Sequence, residues 1–163
     1  MEYKFGVANK AYIFKEDKLL LIYKTKEEAK DDPDPNIRID QPGGRLEFGE
    51  DPKEALYREI YEEVGLKVKI IKPIDVWTYC REDIGFQLVG INYLCEWVEG
   101  QVKLGEEHER YEWSSLYEIK EKQLKDEIQY LNAFITPVEV RLLKHLVNIL
   151  LEMFLRVILQ EQK

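Results

Sequence analysis

Residues 44–66 read GRLEFGEDPKEALYREIYEEVGL and follow directly on Gln41-Pro42-Gly43. Asp51 is a favourable N-cap, Pro52 suits the first helical position, and Glu54 stands where a capping box wants an acid. Gly65 can close the segment in a left-handed conformation. The spacing therefore predicts a helix over 52–64. At about 100° per residue, Leu56, Tyr57, Ile60 and Val64 share one arc, and Arg58, Glu59, Glu62 and Glu63 share the opposite one.

A charged arc on a helix is ordinarily a solvated face, yet two features here work against that reading. Glu59 and Glu63 are like charges at i and i+4, with Glu62 between them, which costs a few tenths of a kcal/mol per pair (order ~0.3). Glu62 and Glu63 also fall in the last turn, at the negative end of the helix dipole, where cations are favoured. Unfavourable choices made together mark a site compensated by a ligand. A divalent cation fits, and an oxygen-only donor set without Cys or His favours Mg²⁺ or Mn²⁺ over Zn²⁺. The preceding Pro42-Gly43-Gly44 turn lets backbone approach a ligand, or offer it a carbonyl, because glycine adds no side chain.

Outward from this run, residues 7–14 and 19–23 are β-rich and joined by a hairpin signal at 15–18. The charged stretch 24–40, with Pro33 and Pro35, is expected to be an exposed loop or lid, and 45–48 a short extended piece. Strands are expected at 66–79 and 86–98, turning through 81–85, with a further strand holding Tyr111 and Trp113. A last helix over about 137–160 opens on Thr136, Pro137 and Glu139. Its apolar stripe of roughly 200° is wider than one contact needs, so it is expected to pack on the domain and on a twin subunit in a homodimer.

The 163-residue chain is expected to form a single domain over 1–163. Its formal charge of −8 disfavours duplex nucleic acid as a partner. No window suggests a secretory signal or a membrane span, and Cys80 and Cys95, both in apolar stretches, read as buried free thiols, so a cytoplasmic location is expected.

The pattern Gly44-x5-Glu50-x7-Arg58-Glu59-Ile60-x-Glu62-Glu63-x-Gly65-Leu66 resembles the complete box of the Nudix hydrolases. That resemblance implies an α/β/α sandwich round a mixed β-sheet, with the box as loop–helix–loop. It implies metal-dependent hydrolysis of a nucleoside diphosphate linked to another group. Carried over by position, Glu59, Glu62 and Glu63 become metal ligands, with Glu59 or a later Glu the candidate base. Arg58 orients Glu59, Gly44 offers its carbonyl, and Glu50 is a secondary ligand. Many Nudix proteins recruit a further carboxylate beyond the box, and Glu107, six residues before Trp113, is the choice here over Glu106. His108, Glu109 and Glu112 are expected to face solvent.

Substrate selection is less legible. Pro73 lies too close to Gly65 for the family's ADP-ribose marker, and Tyr79 falls short of the dinucleoside polyphosphate spacing. The small domain favours a small nucleotide, a nucleoside triphosphate (oxidised ones included), with ADP-ribose, nucleotide sugars and dinucleoside polyphosphates as alternatives. Trp77, Tyr79 and Phe86 could stack on a base, and Arg38 and Arg45 could meet phosphates. A silent nucleotide sensor of the same fold is the competing class, disfavoured because every box carboxylate is present.

Overall fold

The computed structural model describes residues 3–30, 32, 35–36, 38–115 and 117–119. Among them are β1 (Lys4–Lys15), β2 (Lys18–Lys24), α1 (Lys26–Ala29), β3 (Ile39–Asp40), α2 (Pro52–Val64), β4 (Lys67–Arg81), β5 (Phe86–Glu99) and β6 (His108–Ser115). The strands form one mixed sheet in the order β3-β2-β1-β5-β4, with β6 on the other edge of β2. β1 and β5 run parallel from Lys4↔Phe86 to Phe14↔Glu96, while the remaining neighbours are antiparallel. The expected mixed-sheet α/β class is observed. The helix expected at 137–160, its packing and its dimer contact lie outside the described residues.

β1 and β2 begin as a hairpin but hold ladder register only at Phe14↔Leu19 and Lys15↔Lys18. Beyond those pairs the strands diverge, and residues 39–46 enter the gap. Ile39 and Asp40 pair with Tyr23 and Ile22 of β2. On the β1 side, Asn9 N–H donates to Gly44 O at 2.9 Å, Ala11 N–H to Pro42 O at 2.7 Å, and Leu46 N–H to Val7 O at 2.9 Å. The glycine loop is thus stitched into the sheet, which answers where its backbone polar groups go. The extended piece expected at 45–48 is reduced to one bridge, Ala8↔Arg45, and Phe48 stands fully exposed.

Helix α2 starts and ends as its sequence dictates. The Asp51 carboxylate accepts from Lys53 N–H at 2.9 Å and Glu54 N–H at 3.4 Å, and Gly65 closes the helix at φ 65°. Leu56, Ile60 and Val64 bury completely against Ala11, Ile13, Leu20, Ile22, Tyr93 and Cys95. Each such side chain contributes about 1.5–3 kcal/mol of transfer free energy. The opposite, carboxylate-bearing arc is thereby held over the loop.

β4 carries Pro73, and its pairing with β5 slips at Lys67/Val68, Ile70/Lys72 and Pro73/Asp75. An edge strand tolerates the missing N–H, and bulges absorb it. Several expectations need correction. Residues 24–40 are not loop throughout: Thr25 caps the four-residue α1, accepting from Glu28 N–H, and β3 ends the stretch. Cys95 is buried, with its thiol pushed up to about 12 by burial, whereas Cys80 is exposed on β4, the last strand in the sheet order. No helix among the described residues is long and apolar enough to cross a membrane.

Candidate active site

The centre of the charged arc is Arg58. Its Nε and Nη2 reach the two oxygens of Glu50 at 2.9 and 3.0 Å, a bidentate clasp. Its Nη1 donates to Glu59 Oε1 at 2.8 Å and Glu62 Oε2 at 3.2 Å. Glu50 also accepts from Glu47 N–H at 3.0 Å. The Arg58 clasp, aided by that N–H, holds the Glu50 carboxyl down at about 2. Glu50 therefore anchors Arg58, and Arg58 in turn gathers Glu59 and Glu62.

Glu59 lies directly against Gly44: a Cβ built there would sit 2.5–2.6 Å from the Glu59 carboxylate atoms. Glu63 turns inward, and its Oε2 accepts the Gly43 N–H at 2.7 Å. Burial pushes its carboxyl up to about 7; Lys10 and the Gly43 N–H oppose that shift, while Asp40 and Glu59 add to it. No basic residue stands in the last turn of α2 to balance these charges. Glycine loop and helix end thus bring Glu59 to Gly44 and Glu63 to Gly43, with Glu62 joined to Glu59 through Arg58.

The loop before β6 docks on the same end of α2. Lys103 N–H donates to Val64 O at 3.0 Å and Gly105 N–H to Glu63 O at 2.9 Å. A Cβ on Gly105 would be 3.2 Å from Glu62 O, so a small residue is needed for this approach. Glu107 follows with an exposed side chain, and its carbonyl accepts Thr25 N–H at 2.8 Å.

The substrate candidates are dispersed. Arg38 pairs with Glu109 at 2.6 Å and also donates to Lys24 O. Arg45 lies over the Phe86 ring at 5.2 Å, so those two candidates do meet. Trp77 covers Gly90, where any side chain would collide with the indole, and donates from Nε1 to Asn92 Oδ1 at 2.9 Å. Tyr79 pairs with Leu88 in the ladder and is half-buried.

Two further corrections concern β6. His108 is buried rather than at the surface, because β6 pairs with β2 and sets it opposite Lys24. Glu112 is half-buried and accepts from the Tyr23 hydroxyl at 2.6 Å. Glu109 is exposed, as expected, and is the partner of Arg38. Sequence reasoning also passed over Lys10, Asp40 and Asn9. Lys10 Nζ donates to Asp40 Oδ2 at 2.8 Å and Gln41 O at 3.1 Å, and Asn9 Nδ2 donates to Pro52 O at 2.5 Å. The signal was the polar pair Asn9-Lys10 interrupting an apolar strand.

A NUDIX domain model matches residues 4–134. The chain belongs to the NUDIX family. It is a Nudix pyrophosphohydrolase, and its relatives agree with the geometry. The ADP-ribose pyrophosphatase of Methanocaldococcus jannaschii is 30% identical over 134 residues, 78% of this chain and 76% of that protein. The solved structure of a MutT protein from Methanosarcina mazei superposes with TM-score 0.60 at 25% identity, covering 73% of this chain and 83% of that one. A NUDIX hydrolase from Nitrosomonas europaea gives TM-score 0.58 at 26% identity, covering 73% and 78%.

Proposed function

We propose that this protein hydrolyses the pyrophosphate bond of a nucleoside diphosphate linked to a further group, with Mg²⁺ (or Mn²⁺) held at the end of α2. The observation that carries this reading is the convergence of Glu59 on Gly44 and Glu63 on Gly43, with Arg58 tying Glu59 and Glu62 to Glu50.

The residues suit a hard divalent ion. Among the described residues no group of three His, Cys, Asp or Glu side chains is already drawn together as a cage. Arg58 instead occupies Glu59 and Glu62, standing in for a cation. Glu59, Glu62 and Glu63 would hold the ion, with the Gly44 carbonyl as a further donor through the lone pair that Asn9 N–H leaves free. A bound divalent ion supplies charge neutralisation on the phosphoryl oxygens and lowers the pKa of a water it carries. Arg58 orients Glu59, Glu50 restrains Arg58, and Glu59 or Glu107 takes the proton from the attacking water. Gly43 and Gly44 leave room for the diphosphate beside the helix.

Among substrates, the 30% identical relative supports ADP-ribose ahead of nucleoside triphosphates, even though the spacing of Pro73 departs from the ADP-ribose marker. The likeness to a MutT protein keeps nucleoside triphosphates as the second reading. Glu62→Gln and Glu63→Gln are each expected to lower Mg²⁺-dependent turnover by at least about a hundredfold without unfolding the protein. A hydrolysis panel of ADP-ribose, nucleotide sugars, nucleoside and oxidised deoxynucleoside triphosphates and dinucleoside polyphosphates, run with both variants, tests this. Turnover of ADP-ribose is the expected result. No turnover anywhere on the panel would favour a nucleotide sensor, and near-normal rates in both variants would remove the assigned mechanism. The wide apolar stripe over 137–160 supports a homodimer, which light scattering at micromolar concentration checks.

A further inference from the structure

The loop residue that holds Glu63 has no side chain of its own to fix it. Gly43 sits at φ 134°, a conformation that glycine alone enters freely, so its N–H points at Glu63 only if neighbouring peptides are restrained. Two restraints are backbone bonds to β1, at Pro42 O and Gly44 O. The third is built from side chains and acts on the peptide of Gln41.

Asp40 Oδ1 accepts Gln41 N–H at 2.8 Å, and Lys10 Nζ donates to Gln41 O at 3.1 Å. The clamp closes on itself, because Lys10 Nζ also pairs with Asp40 Oδ2 at 2.8 Å. Both side chains are mostly buried, at 21% and 17% exposed, so the pair is screened far less than a surface ion pair. Lys24 stands further from Asp40, at 3.7 Å, and is engaged by Asp32 at 2.8 Å. Lys10 is therefore the direct counter-charge within the clamp.

We propose that Lys10, working with Asp40, is a positioning residue for the hydrolytic site: it fixes the Gln41 peptide, and through it the Gly43 N–H that seats the Glu63 carboxylate. The inference rests on the role given above to Glu63. Lys10 makes no hydrogen bond to the helix carboxylates and touches no reacting atom; its charge favours the Glu63 carboxylate at a distance, and its hydrogen bonds act two residues upstream of the glycine that does the holding.

The first test needs no metal or substrate. In ¹⁵N-labelled, metal-free protein the Gly43 amide is expected to resonate downfield and to exchange slowly. Lys10→Arg keeps both signatures, whereas Lys10→Met loses them. Asp40→Asn, which removes the charge that moors Lys10, loses them too and serves if Lys10→Met does not fold. The second test is kinetic, with ADP-ribose and Mg²⁺. Lys10→Met is expected to lower kcat by about tenfold or more, as a mispositioned group does, with a smaller change in KM. The same substitution made in Glu63→Gln adds no further loss, because the residue it acts through is already disabled. A folded Lys10→Met protein with an unchanged Gly43 amide overturns the proposal, as does a loss that repeats in full in the Glu63→Gln background. Full activity in Glu63→Gln alone would instead strike the role of Glu63.

Discussion

A methyl group at Gly44 would meet the Glu59 carboxylate at 2.5 Å, whereas one at Gly43 would run into the backbone carbonyl of Asn9. The first obstacle is the far end of a flexible side chain and the second is a strand fixed on both edges, so adjacent substitutions have different consequences. Gly44→Ala is expected to melt close to wild type while losing turnover by about tenfold or more, since Glu59 must swing aside. Gly43→Ala must adopt φ 134° and displace β1, and is expected to lose about 2 kcal/mol or more of stability. Thermal melts beside rate measurements on the two variants check this contrast. A Gly44→Ala enzyme with unaltered rate would deny that Glu59 works where it packs. At this scale the sequence showed that both positions are glycine, but which atoms crowd each one depends on the fold, strand β1 at Asn9 for Gly43 and helix α2 at Glu59 for Gly44.

Among the elements, α2 was legible in its caps and in three of its apolar positions, although Tyr57, expected on the core-facing arc, is exposed. Asp51, Pro52 and Gly65 act locally, and the apolar positions Leu56, Ile60 and Val64 repeat at helical spacing, so no distant partner is needed to recognise them. Ile60→Ala is expected to cost about 2–5 kcal/mol, because the side chain is fully buried between helix and sheet. Chemical denaturation measures it, and a cost below about 1 kcal/mol would mean that α2 is not seated on this core. Less regular pieces escaped notice for the opposite reason. α1 has only four residues, and β3 consists of two residues that pair in a ladder with β2. Neither has a periodicity to read. β6 was anticipated at Tyr111 and Trp113, yet its polar neighbours misled: His108 and Glu112 look solvated in sequence and are covered only once β6 zips onto β2.

For the molecule as a whole, the buried charges make stability depend on pH, and two of them act in opposite directions. Burial lowers the His108 pKa; Lys10 and Lys24 add to that effect and Asp40 opposes it. Its unfolded value is about 6.5, so on acidification the unfolded chain takes up the proton first and stability falls as pH drops below about 6.5. Glu63, raised to about 7 by burial, contributes in the other sense: its stabilisation is complete below its unfolded pKa and fades as pH rises through 7. The difference between wild type and His108→Gln removes the Glu63 contribution. The variant is expected to lose less in Tm than wild type between pH 7 and about 5.5. Parallel melting curves for the two proteins would contradict the burial of an unprotonated imidazole.

What the sequence determined by itself was the helix, because caps, dipole and like-charge spacing are interactions between residues close along the chain, and the Nudix box, whose family resemblance implies the class of reaction. The tertiary structure decided the rest of the site. Divergence of β1 from β2 opens the gap that residues 39–46 fill, and this brings Asn9, Lys10 and Asp40 beneath the glycines and turns Glu63 inward. Charges separated by thirty or more positions, such as Lys10 and Asp40, carry no periodic signal. Their partnership exists only after strand pairing has excluded water and made an unpaired charge costly.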